Sequence, residues 1–140
     1  MPLAQALGRL HCRRALVVHG EDDGLDEVSL SGKTRIAEWT GERVKTYTLE
    51  PGDFGIPRSP LGTLQVNSAQ ESAEIVRSVL KGEIGPARDV VVLNAGIALY
   101  TGFAVRSIEE GVLLAIKTID GGGADQKLKD YISVSNKAMP

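Results

Sequence analysis

Cysteine is nearly absent from these 140 residues: Cys12 is the only one. An internal disulfide is therefore excluded, and so is a metal centre built from several thiolates. No motif surrounds Cys12, which reads as a buried or bystander thiol rather than a nucleophile. Aromatic residues are scarce at 4%, so the core has to be aliphatic. No run of about 18 apolar residues occurs, which leaves no candidate membrane span. The N-terminal stretch MPLAQALGRLHCRRALVV lacks the charged start and long apolar centre of a signal peptide, so the expectation is a cytoplasmic protein. An excess of one charge is missing too. Sixteen basic residues stand against eighteen acidic ones, for a net charge of −2. The basic residues are scattered, which argues against a nucleic-acid partner. Internal repeats and low-complexity tracts are absent.

What remains is ordinary globular material, 42% hydrophobic and 24% charged, in a length that suits one domain. Pro2 to Leu10 places Leu3, Ala6, Leu7 and Leu10 on one helical face. Arg14 to His19 reads as a strand. Its centre, Ala15-Leu16-Val17-Val18, is apolar on both faces, as in the central strand of a parallel sheet. Thr34 to Trp39 and Arg43 to Leu49 read as two further strands joined by the turn Thr40-Gly41-Glu42, a hairpin signal. Pro51 to Pro60 holds three of the six prolines and reads as a loop.

Helices follow. Ser68-Ala69-Gln70-Glu71 and Ser107-Ile108-Glu109-Glu110 both have the form of capping boxes, each followed by an apolar stripe. Gly82 is placed to end the first of these helices, and Gly85-Pro86 to open the next. Val90 to Tyr100 is apolar almost all round, broken by Asn94, which reads as a hydrogen-bonded core polar group. Gly121-Gly122-Gly123 ends the Ser107 helix, and Leu128, Tyr131 and Ile132 mark a last short one. The fold class is α/β, with about three strands followed by about four helices. That inventory suits part of a larger α/β unit, with apolar surface left exposed or covered by another chain.

The chemistry-bearing feature is VVHGEDDGLDEVSL, residues 17–30. Glu21, Asp22, Asp23, Asp26 and Glu27 crowd the point where the first strand ends. Hard carboxylate oxygens there suit Mg²⁺, which takes a few carboxylates and completes its shell with water and phosphate oxygens. Ligands of α/β folds gather at such strand ends. In an extended stretch, Asp26 and Glu27 would point opposite ways. A plain solvated acidic turn accounts for the same composition, and the spacing does not fit an EF-hand. His19 reads as a structural strand-end histidine, Arg13-Arg14 as a solvated pair. Ser29 and Ser31 lack the partners of a nucleophilic serine.

ALVVHGEDDGLDEVSLSGKTRIAEW resembles the C-terminal half of the anthranilate phosphoribosyltransferase family. The resemblance runs on through YTLEPGDFGI, NSAQESAEIVRSVLKGEIGPARDVVVLNAGIALY and SIEEGVLLAIKTIDGGGADQKL, from about Leu3 to Ser133. It implies a nucleoside phosphorylase/phosphoribosyltransferase-type α/β domain, of which residues 1–140 would be an incomplete, C-terminal part. It implies transfer of phosphoribosyl from phosphoribosyl pyrophosphate to anthranilate in tryptophan biosynthesis, with release of pyrophosphate and with Mg²⁺ as cofactor. The family's adjacent Asp-Glu pair holds that Mg²⁺, and Asp26 and Glu27 match the pair. No catalytic residue is implied among these residues, and the substrate-binding ones stay unassigned.

Two departures accompany the resemblance. Asp22-Asp23 looks like a one-residue insertion between His-Gly and Gly-Leu-Asp-Glu. The 140 residues also contain neither the GTGGD-type glycine loop that cradles pyrophosphate nor the KHGNR-like segment. Nor do they contain the N-terminal helical domain through which the family dimerises. The expectation is a fragment inactive by itself, or one half of a split enzyme with an N-terminal partner. A non-catalytic interaction module derived from the enzyme is the alternative. A nucleoside phosphorylase or another phosphoribosyl-transfer enzyme fits the GLDE signature less well.

Overall fold

In the computed structural model, which describes residues 1–137, a helix leads into a three-stranded sheet that packs on a helical layer. Helix α1 spans Pro2–Arg9. Strands β1 (Ala15–Gly20), β2 (Thr34–Trp39) and β3 (Val44–Leu49) follow. Short 3-10 turns at Pro51–Phe54 and Leu61–Leu64 lead into α2 (Ala69–Leu80), α3 (Pro86–Thr101), α4 (Ile108–Asp120) and α5 (Gly123–Lys137).

The sheet corrects one expectation. Strand order is β1-β2-β3 and both pairings are antiparallel, with Val17 opposite Ala37 and Ile36 opposite Tyr47. β1 is thus an edge strand, and β2, with Ile36 fully buried, is the central one. The apolar character of both β1 faces has a different cause from a parallel sheet. Alternate residues point to opposite sides. Leu16 and Val18 turn, with Tyr47 and Leu49, to the core built by α2, α3 and α4. Ala15 and Val17 share the other face with Ala37 and Trp39, where α1 packs. Contact there is close: a Cβ on Gly8 would fall 2.5 Å from the Trp39 ring.

α3 and α4 form the tightest helix pair. A Cβ at Gly111 would stand 2.2 Å from the Gly96 carbonyl oxygen, and one at Gly96 would stand 2.7 Å from the Val112 nitrogen. The backbones touch because neither helix carries a side chain at the crossing. Val92, Leu93 and Ile97 of α3 and Ile108, Val112, Ala115 and Ile119 of α4 fill the core around it. α3 is not buried all round, however. Val91 and Ala98 stay exposed along an apolar trough between α2 and α4. α5 runs through 15 residues rather than forming a short helix, and buries none of them.

Both serine caps form: Ser68 and Ser107 accept from the Glu71 and Glu110 amides. The glutamates reach one residue further back than a capping box requires, accepting from the Asn67 and Arg106 amides.

Charged residues join the sheet to α3. Glu38 is buried on β2 and accepts from the Tyr47 hydroxyl at 3.1 Å and the Tyr100 hydroxyl at 2.8 Å. Arg14, expected in solvent, lies half-buried 3.5 Å from the same carboxylate, donates to the Tyr100 carbonyl and stacks 4.1 Å over the Tyr100 ring. Burial, then the Glu38 charge, pushes the Tyr47 phenol well above its ordinary value.

Candidate functional site

The acidic loop begins where β1 ends at Gly20, and its five carboxylates separate into two groups. The first group is engaged by donors from the same chain. Glu21 pairs with Arg35 on β2, accepting from its Nε at 2.8 Å. Asp22 Oδ2 accepts from the Lys33 amide at 3.0 Å and lies where a Cβ on Gly32 would be. Asp23 is the centre of the loop. It accepts from the hydroxyls of Ser29 and Ser31, the latter at 2.6 Å, and from the Leu25 amide at 3.1 Å. Burial pushes the Asp23 carboxyl up, but these donors together outweigh it and hold it below its ordinary value. Its Oδ1 approaches to 2.1 Å of the position of a Cβ on Gly20, so a side chain there would push the Asp23 carboxylate aside. Gly24, at φ +72°, lets the chain turn back.

The second group is Asp26 and Glu27. Both are exposed, and among the described residues neither accepts a hydrogen bond nor joins an ion pair. The chain bends here instead of running extended, so strict alternation does not decide where these side chains point. No cluster of three or more His, Cys, Asp or Glu suited to a metal occurs among the described residues. A cation at this pair therefore needs ligands from elsewhere.

Directly after the pair the chain becomes buried and hydrogen-bonded. Val28, Ser29 and Leu30 are each 1% exposed. The Ser29 amide donates to Thr34 Oγ1 at 3.0 Å. Asn94, from the middle of α3, holds Val28 on both sides: its Oδ1 accepts from the Val28 amide at 2.9 Å, and its Nδ2 donates to the Val28 carbonyl at 3.0 Å. The Asn94 Nδ2 also donates to Val90 of its own helix. Glu27, Val28 and Asn94 line one cleft with Leu16, Val18 and Thr101, between β1 and α3. His19 is exposed on β1, and the hydroxyls of Ser29 and Ser31 serve Asp23.

The pattern of residues singled out these carboxylates but not their division of labour. Asp22 and Asp23 build the loop; their partners Ser29, Ser31 and Lys33 follow within eleven residues. Asn94 showed itself as a polar interruption in an apolar helix, yet its partner lies 66 residues away.

Residues 1–125 match the family model described as "Glycosyl transferase family, a/b domain". The chain is 45% identical over 135 residues to an anthranilate phosphoribosyltransferase of Nitrosomonas europaea, covering 96% of this chain and 39% of that relative. Among solved structures, it resembles anthranilate phosphoribosyltransferase from Thermus thermophilus, with TM-score 0.85, 41% identity, 94% of this chain covered and 38% of the other. It is also similar to the Saccharomyces cerevisiae enzyme in complex with PRPP and Mg, with TM-score 0.77, 27% identity, and coverage of 94% and 38%. The chain thus spans about two fifths of the length of the relatives it matches. With that domain model covering most of its residues, the chain belongs to the glycosyl transferase family.

Proposed function

We propose that this chain supplies the magnesium-binding part of an anthranilate phosphoribosyltransferase site. One observation carries the proposal: of five clustered carboxylates, three are engaged by internal donors while Asp26 and Glu27 are left free beside a pinned backbone. Two free carboxylates without a third protein ligand suit Mg²⁺, which leaves most of its shell to water and phosphate oxygens. Asp26 and Glu27 would hold the ion. When bound, it would neutralise charge developing on the pyrophosphate leaving group.

In the reaction proposed, the bond from the ribose anomeric carbon to pyrophosphate breaks, its electron pair leaving with the pyrophosphate. The anthranilate nitrogen bonds to that carbon and loses a proton. The contribution of this chain is to keep two anionic oxygens at a fixed strand end, free of competing cations. Phosphoribosyl pyrophosphate and anthranilate are the proposed substrates. A cytoplasmic enzyme of tryptophan biosynthesis is the setting they imply.

Residues 1–140 then correspond to the C-terminal part of the catalytic α/β domain. The glycine loop, the anthranilate contacts and the dimer-forming helical domain would come from the remaining portion. The exposed apolar trough along Val91 and Ala98 of α3 supports a covering partner of that kind. The test is reconstitution. The chain is mixed with an N-terminal portion of the Thermus thermophilus relative, Mg²⁺ and both substrates, and anthranilate fluorescence is followed. Consumption in the mixture and in neither part alone supports the proposal; no consumption in the mixture counts against it.

A further inference from the structure

Asn94 is the one polar side chain between Val90 and Ala98. Burying an amide in so apolar a helix is unfavourable unless its polar atoms are paired. Both Nδ2 protons and Oδ1 are in fact used, and two of the three bonds go to Val28. The Val28 amide belongs to the peptide that joins it to Glu27. Rotation of that peptide plane would swing the Glu27 side chain, and the bond to Asn94 Oδ1 opposes the rotation. The Val28 side chain, 1% exposed in the core, anchors the other end.

We infer that Asn94 is a positioning residue for the Asp26–Glu27 pair. It touches no metal itself. It acts through the Val28 backbone, so that Glu27 is held at the cleft between β1 and α3. The inference rests on the metal-binding role proposed above for the pair. Outer partners that orient metal ligands typically change affinity by about ten- to a hundredfold when removed.

The probe is Mn²⁺ alone, added to the isotopically labelled chain, with paramagnetic broadening of backbone amides read by NMR. In the wild type, broadening is expected to centre on Asp26, Glu27 and Val28. Asn94→Ala and Asn94→Ser should need about tenfold more Mn²⁺ for the same broadening. The β1 amides of Leu16 to Val18 should keep their shifts. Asn94→Ser is the milder variant, because a helical serine can return a hydrogen bond to the carbonyl four residues back, here that of Val90. It carries the comparison if Asn94→Ala does not fold. An unchanged Mn²⁺ requirement in a folded variant overturns the positioning role and leaves the metal pair standing. Absence of broadening at Asp26 and Glu27 in the wild type overturns both. Failure of both variants to fold would show a purely structural asparagine and also overturn the inference.

Discussion

Asp23 Oδ2 accepts the Ser31 hydroxyl at 2.6 Å, closing the acidic loop on itself across eight residues. With Ser29 and the Leu25 amide also donating to Asp23, the most acidic-looking stretch of the chain is internally organised. The carboxylate closest to the centre of that organisation is unavailable to a cation unless the loop opens.

Asp23→Asn should therefore act on stability. Loss of charge-assisted bonds costs about 1–3 kcal/mol, read as a lower chemical-denaturation midpoint at pH 7. The sign with pH follows from the depressed pKa. Stability from Asp23 is present above its unfolded value, near 3.8, and is lost as pH falls through the lower folded value. The acid limb of the wild-type stability curve should lose this contribution below that value. The variant, already without it, should show a shallower acid limb.

Gly111→Ala should be more damaging than its size suggests. The added methyl would lie 2.2 Å from the Gly96 carbonyl oxygen, and the α3 and α4 backbones would have to separate. Overpacking of this kind costs about 1–3 kcal/mol or more. Thermal unfolding followed by circular dichroism measures it, and a melting temperature equal to wild type would show that the helices cross more loosely than described.

His11→Gly should stabilise. His11 holds φ +65° just past α1, where the Cys12 amide returns to the Leu7 carbonyl. Glycine favours that left-handed cap position. The gain expected is about 0.5–1 kcal/mol, visible as a raised denaturation midpoint.

Tyr100→Phe tests the charged joint between sheet and helix. It removes the 2.8 Å bond to the buried Glu38 carboxylate. A buried carboxylate that loses one of its donors costs about 1–3 kcal/mol. Tyr47 provides a second reading of the joint. Its phenol is raised, so the stability it contributes is complete below the ordinary tyrosine value near 10 and declines as pH rises above it. Ultraviolet titration should show Tyr47 still protonated above pH 10, the ordinary tyrosine range.

The sequence made the elements legible where the signal was local. The hairpin of β2 and β3 announced itself through the Thr40-Gly41-Glu42 turn, and α2 and α4 through Ser68 and Ser107. β1 is an edge strand rather than a central one; its two apolar faces reveal that both are covered, not by what. Here α1 covers one and the helical layer the other. Arg14 and Glu38 were illegible for a related reason. A charge on an alternating strand looks solvent-directed until Tyr47 and Tyr100, nine and 62 residues on, enclose it. For the site, residue types marked all five carboxylates alike, and only the family resemblance singled out Asp26 and Glu27; the structure adds that their neighbours Glu21, Asp22 and Asp23 have partners.

The most direct measurement is anthranilate consumption by the reconstituted mixture carrying Asp26→Ala with Glu27→Ala, set beside Glu21→Ala. The double variant should fold and associate like wild type but lose turnover at every Mg²⁺ concentration tried, while Glu21→Ala keeps it. Wild-type turnover in the double variant would contradict the assignment of Asp26 and Glu27 to the metal.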